Sequence, residues 1–121
     1  MKCEYTATFL LMTHELQDAV SLEIARSVAA RLRASPSLLQ MALGNLDRWS
    51  CQNADTPSLL RCYDEWRQIL GLPLEEICRR LCAETQEGQR LRQNSPFAGV
   101  LSPEEVWEIK SRLRRHAAAP T

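Results

Sequence analysis

Apolar residues recur every four positions over the first part of the chain, at Leu16, Val20, Ile24, Val28 and Leu32, with Ala25 and Ala29 widening the stripe. That spacing places them on one side of a helix and predicts an amphipathic segment over about His14 to Arg33. Thr13 is a suitable N-cap. Glu15, Asp18 and Glu23 lie toward the start and Arg26, Arg31 and Arg33 toward the end, the polarity that complements the helix dipole.

Ser35 and Pro36 then break and restart the pattern, because proline needs no amide partner at a first helical position. A second helix follows to about Trp49, with Leu38, Leu39, Ala42, Leu46 and Trp49 on one side. Gly44 weakens it by roughly 1 kcal/mol against alanine unless packing requires it. Thr56 and Pro57 repeat the cap-plus-proline start for a third helix, about Ser58 to Leu70, with Leu59, Tyr63, Trp66 and Leu70 inward. Gly71 is expected to end it as a left-handed C-cap. A fourth helix is expected from Leu74 to about Ala83 and a short helical turn over Gln86 to Gln93, capped by Thr85. Ser102, Pro103 and Glu105 form a capping box. It opens a last helix to about Arg115, with Val106, Trp107, Lys110 and Leu113 bracketing one face.

No strand alternation is evident, and the cap-and-proline starts have no fixed period, so a helical repeat is not supported. The expected fold is all-α, a single compact bundle of five to six helices. Residues 13–116 form the helical domain. Residues 1–12 are expected to be a tail or a mis-assigned start, with Met12 as the natural one. Residues 117–121 are expected to fray.

Composition changes this picture little. The 121 residues carry 15 Lys plus Arg against 15 Asp plus Glu, so the global basic excess of a duplex-DNA binder is missing. Arginine outnumbers lysine 13 to 2, which points to a GC-rich bacterial gene. The five cysteines are odd in number and irregularly spaced, so they read as reduced thiols of a cytoplasmic protein. Cys78 and Cys82 lie four apart on a helix but lack two further metal ligands, and core packing explains them better. No run approaches the ~20 apolar residues that span a bilayer.

Catalytic constellations are thin. His14 and His116 lie near the chain ends, the glycines are scattered, and Glu75-Glu76 and Glu104-Glu105 sit in first turns where the dipole explains them. No enzyme activity, metal or cofactor is expected. Two binding surfaces are candidates. Arg90, Arg92, Asn94, Phe97 and Trp107 could hold a protein partner, since aromatic and arginine side chains most often anchor interfaces. Alternatively Phe97, Val100 and Leu101 fold back over the end of the bundle. Trp49, Trp66 and Trp107 suit core anchors. Lys110, Arg112, Arg114 and Arg115 could hold nucleic acid if they share a face.

The segments "LDRW" (Leu46 to Trp49) and "LRQNSPFAGVLSPEEVW" (Leu91 to Trp107) resemble those of a group of small, poorly characterised bacterial proteins, over roughly Met12 to Arg115. The resemblance implies an antitoxin or accessory role, with a toxin as partner, and transfers no catalytic residue. The functional expectation is a non-catalytic protein-binding module acting through Arg90–Leu101, with a nucleic-acid-binding accessory protein as the alternative.

Overall fold

The structure, a computed structural model, describes residues 13–118. The expectations for residues 1–12 and for 119–121 lie outside these residues. Among the described residues there are six α-helices: α1 (His14–Ala34), α2 (Leu39–Gln52), α3 (Pro57–Leu70), α4 (Leu74–Leu81), α5 (Gln86–Arg92) and α6 (Pro103–Ala118). A 3-10 turn, Pro36–Leu38, leads into α2, and no strand occurs among the described residues. The all-α bundle expected from the periodicity is the fold observed.

α1 is the spine. It packs against α6, α4, α5 and the 3-10 turn, while α2 and α3 pair with each other. The stripe read from the sequence is its buried side: Val20, Ala25, Val28, Ala29 and Leu32 are buried, and Ile24 packs at the margin. The core continues through Ala42 and Leu46 of α2, Tyr63, Trp66 and Ile69 of α3, Ile77 and Leu81 of α4, Leu91 of α5 and Ile109 of α6. The Trp66 ring is 1% exposed, and its indole N–H donates to the Leu91 carbonyl at 3.1 Å, so its burial leaves no orphaned donor.

Helix ends divide into those that side chains cap and those that they do not. Thr13 accepts from the Leu16 amide at 3.1 Å and Thr85 from the Gly88 amide at 3.0 Å. The Ser102 hydroxyl accepts from the Glu105 amide at 3.1 Å while the Glu105 carboxylate accepts from the Ser102 amide at 2.9 Å, a complete capping box. Ser35 and Thr56, expected as caps, make no side-chain cap bond. Proline supplies the start at both places, and after Ser35 the chain first makes a 3-10 turn. Gly71 does not take the left-handed conformation expected of it; it continues in the right-handed region at φ −82°, and its amide turns back to the Gln68 carbonyl at 3.1 Å. The last helix also reaches three residues further than expected, so Ala117 and Ala118 are helical.

Two glycines inside helices have opposite meanings. A Cβ on Gly44 would meet nothing within 4 Å. A Cβ on Gly88 would sit 2.1 Å from the Ala83 carbonyl oxygen, because α5 turns back tightly on the end of α4. Gly88→Ala should therefore lower stability by about 3 kcal/mol through overpacking. Gly44→Ala should raise it by about 0.5–1 kcal/mol through helix propensity. Urea unfolding of both variants tests the contrast, and equal effects would contradict the packing of α5 on Ala83.

Candidate functional site

The segment from Arg90 to Trp107 joins α5 to α6, and its residues fall into three environments. Phe97 is 4% exposed, and its ring meets the Trp66 ring edge-on, with centroids 5.8 Å apart and planes at 89°. Pro96, Val100 and Leu101 are buried with it. The chain folds back over its own bundle, so Phe97 is not available to anchor a partner from the surface.

The fold-back is held by α2. Asn45 is 5% exposed, and its side-chain amide donates to the carbonyls of Pro96 and Ala98, each at 2.9 Å. Arg48, one turn along α2, donates to the Asn45 amide oxygen, which leaves the amide NH2 directed at the loop. Gly99 then reverses the chain at φ +92°, the one positive φ among the described residues, with the Met41 sulfur 3.3 Å from where its Cβ would be. Asn45 stands immediately before the Leu46–Trp49 segment, and both of its acceptors lie within the Leu91–Trp107 segment. Asn45 escaped the sequence reading. Its signal was position: it sits beside Leu46 and three residues after Ala42, a polar residue on the apolar stripe.

On the far side of the loop, Arg31 of α1 donates to the Val100 carbonyl at 3.3 Å and pairs with Glu105. The Ser102 amide and the Arg31 guanidinium together hold the Glu105 carboxyl below its ordinary range. The entry to α6 is therefore tied to both α1 and its own cap.

Arg92, also expected on a partner surface, is buried at 8% exposure. Its Nη1 donates to the carbonyls of Leu81 at 3.0 Å and Ala83 at 2.7 Å, satisfying the C-terminal end of α4. Its Nε is buried without a partner. Burial pulls its pKa down, and Cys82, Asp18 and Glu84 offset this only by longer-range attraction. Arg90 is on the surface but occupied, forming a two-oxygen pair with Glu65 at 2.9 and 2.7 Å and a second pair with Glu87. Asn94 is half-buried and lines a shallow hollow of about 320 Å³ with Trp49 and Tyr63.

Trp107 alone of the expected partner residues is open. It is 66% exposed, while Trp66 is sealed and Trp49 is half-buried against Tyr63 at 6.0 Å. The expectation that all three tryptophans are core anchors fails at Trp107. The reason is helix phase: Ile109 is the buried residue of α6, with Val106 and Leu113 beside it, and this turns Trp107 and Lys110 outward. Trp107, Lys110 and Arg114 follow at i, i+3 and i+7 on one exposed strip. Arg112 and Arg115 fall on the other flank, and Glu104 and Glu108 lie among them, so the four basic residues do not make one basic face. Elsewhere Arg79 and Arg80 pair with Glu76, whose carboxyl is held down to about 2 by them.

Cys78 is buried and directs its sulfur to the Ala29 carbonyl at 3.9 Å; burial raises its pKa and that of Cys82. Among the described residues no group of His, Cys, Asp and Glu is arranged to hold a metal, and no helix is long and apolar enough to cross a membrane.

Asn45→Ala should cost about 2–3 kcal/mol, since it leaves two loop carbonyls without a donor. Chemical denaturation measures this, and a loss below about 0.5 kcal/mol, the range of ordinary surface changes, would remove the amide from this role. A second expectation concerns acid. A carboxyl whose pKa is lowered on folding stabilises fully above its unfolded value of 4.5, and that contribution is lost as pH falls through the folded value. Glu105→Gln keeps the cap and removes the charge. Its Tm should fall less than that of the wild type between about pH 6 and pH 3; parallel acid limbs would show that the Glu105 charge contributes nothing.

Compared with protein-family models, with curated proteins and with solved structures, the chain matches none.

Proposed function

We propose that the chain is a non-catalytic protein-binding module of the bacterial cytoplasm whose working surface is the outer face of α6. The observation that carries this reading is Trp107, a large aromatic left 66% exposed, where among the described residues Met41, at 39%, is the other large apolar side chain left exposed. Tryptophan is among the side chains that most often dominate binding energy, and an isolated exposed one lowers the stability of no contact that the fold makes for itself. Lys110 beside it favours an acidic partner. The resemblance to small bacterial proteins adds a candidate of that kind, a toxin whose surface α6 would cover.

Binding rather than catalysis is supported by the occupation of the charged groups. Arg31, Arg33, Arg67, Arg79, Arg80 and Arg90 are engaged with carboxylates, and Glu75, Glu76, Glu87 and Glu105 are held ionised by the same pairs. His14 and His116 are exposed near the ends of the described chain. The nucleic-acid alternative has less support, because the basic residues of α6 are split between two flanks.

The test is quantitative binding of the partner captured from the native host and then purified. Trp107→Ala should weaken its affinity by at least about thirtyfold, equivalent to about 2 kcal/mol. The melting temperature should stay near that of the wild type, because the ring packs on nothing in the core. Unchanged affinity in the folded variant would place the interface elsewhere; steep salt dependence of RNA or DNA binding in its place would favour the alternative.

A further inference from the structure

The outer face of α6 carries its charges in a definite order. Along one flank Glu104, Glu108, Arg112 and Arg115 follow at i, i+4, i+8 and i+11, all exposed. The helix dipole accounts for acid at the start and base at the end. It does not account for how these groups are left. Among the described residues none of the four enters an ion pair, whereas elsewhere on the bundle Arg33 meets Glu75 and Arg90 meets Glu65. Glu104 and Glu108 are like charges one turn apart, and Arg112 and Arg115 are another such doublet, so each doublet repels itself. The same flank read in the opposite direction relieves both. Trp107 stands on the neighbouring flank, 66% exposed, and Ser111 lies between the two flanks. A small residue in that place lets another helix come close, since the distance between packed helices follows the side chains at the contact.

We propose that a second copy of this chain covers this face, with the two α6 helices antiparallel about a twofold axis between Glu108 and Arg112. Glu104 of each copy then faces Arg115 of the other, and Glu108 faces Arg112. Each Trp107 lies against the basic half of the opposing helix, where a cation meets its ring. A twofold interface must be complementary to itself. An acid-acid-base-base flank meets that condition in the antiparallel sense alone, because parallel pairing sets like charge against like. The inference rests on the reading of α6 as a protein-binding face and names a second copy as its occupant. With 16 residues α6 is about 24 Å long, so the contact falls at the low end of interface areas, below about 1,200 Å². Such a dimer is weak and exchanging, and another partner can displace it.

Sedimentation equilibrium of the full chain over roughly 1–500 µM, where an interface of this size dissociates, tests the assignment. A reversible monomer–dimer equilibrium is expected, weakened at least about tenfold by Trp107→Ala. Glu104→Arg with Glu108→Arg makes the flank wholly basic, and Arg112→Glu with Arg115→Glu makes it wholly acidic. Each double variant should be monomeric by itself, with circular dichroism and melting temperature showing the fold intact, since all four positions are exposed. Mixed in equal amounts, the two should form a heterodimer as tight as the wild-type dimer. A wild type that stays monomeric, double variants that dimerise like the wild type, or a mixture that fails to pair overturns the proposal. A monomeric wild type whose Trp107→Ala form still loses the captured heterologous partner overturns self-pairing and leaves the proposed function standing. Restored pairing in the mixture, with heterologous affinity unchanged by Trp107→Ala, supports self-pairing and places the heterologous interface elsewhere.

Discussion

One buried amide carries much of this fold. Asn45 spends both hydrogens of its side chain on carbonyls of a loop some fifty residues later, at Pro96 and Ala98. The Pro96 bond is buried in the core, where water cannot replace the amide, and the Ala98 bond lies at its partly buried edge. Inside a protein an unmade hydrogen bond costs more than a made one gains, so the pair of bonds acts mainly by excluding other positions of the loop. With the loop fixed, the Phe97 ring has a defined approach to Trp66, and the chain enters α6 where Arg31 and the capping box can receive it.

The same logic separates structure from surface along the 90–107 segment. A run that mixes arginine, proline and an aromatic looks like a recognition surface, and such residues do anchor interfaces. Here most of that chemistry is turned inward. Arg92 terminates α4, Arg90 bridges α5 to α3, and Phe97 completes the core. The surface ion pairs that cover the bundle contribute little individually to stability. Their effect is to neutralise the exterior, which leaves Trp107 as a distinct feature on it.

Much of the architecture was legible in the residues. The period of four from Leu16 to Leu32 found the buried side of α1, and Thr13, Thr85 and Ser102–Glu105 marked helix starts because their side chains do the capping. Ser35 and Thr56 have the right identity and precede proline, yet no cap bond forms, since residue type does not determine the local backbone angles that aim the hydroxyl. The site was harder to read for a related reason. Val106, Trp107, Lys110 and Leu113 bracket an axis, but the rotation of α6 about that axis is set by what Ile109 packs against, which is long-range. The burial of Arg92 was equally invisible, because its partners are the end carbonyls of another helix and not side chains. Asn45 belonged to an apolar stripe, and only the arrival of Pro96 and Ala98 reveals why a polar residue stands there.

The ties that close the bundle join residues far apart in the chain: Asn45 with Pro96 is separated by 51 positions, Arg31 with Val100 by 69, and Arg31 with Glu105 by 74. A chain synthesised from its N-terminus makes α1, α2 and α3 well before it makes the loop that covers them. Until residues 96–98 leave the ribosome, only water accepts from the Asn45 amide in place of the loop carbonyls, and Trp66 lacks its Phe97 neighbour. The early helices must therefore wait as a loosely closed set, with apolar surface uncovered, and the domain seals only when nearly all of it has been translated.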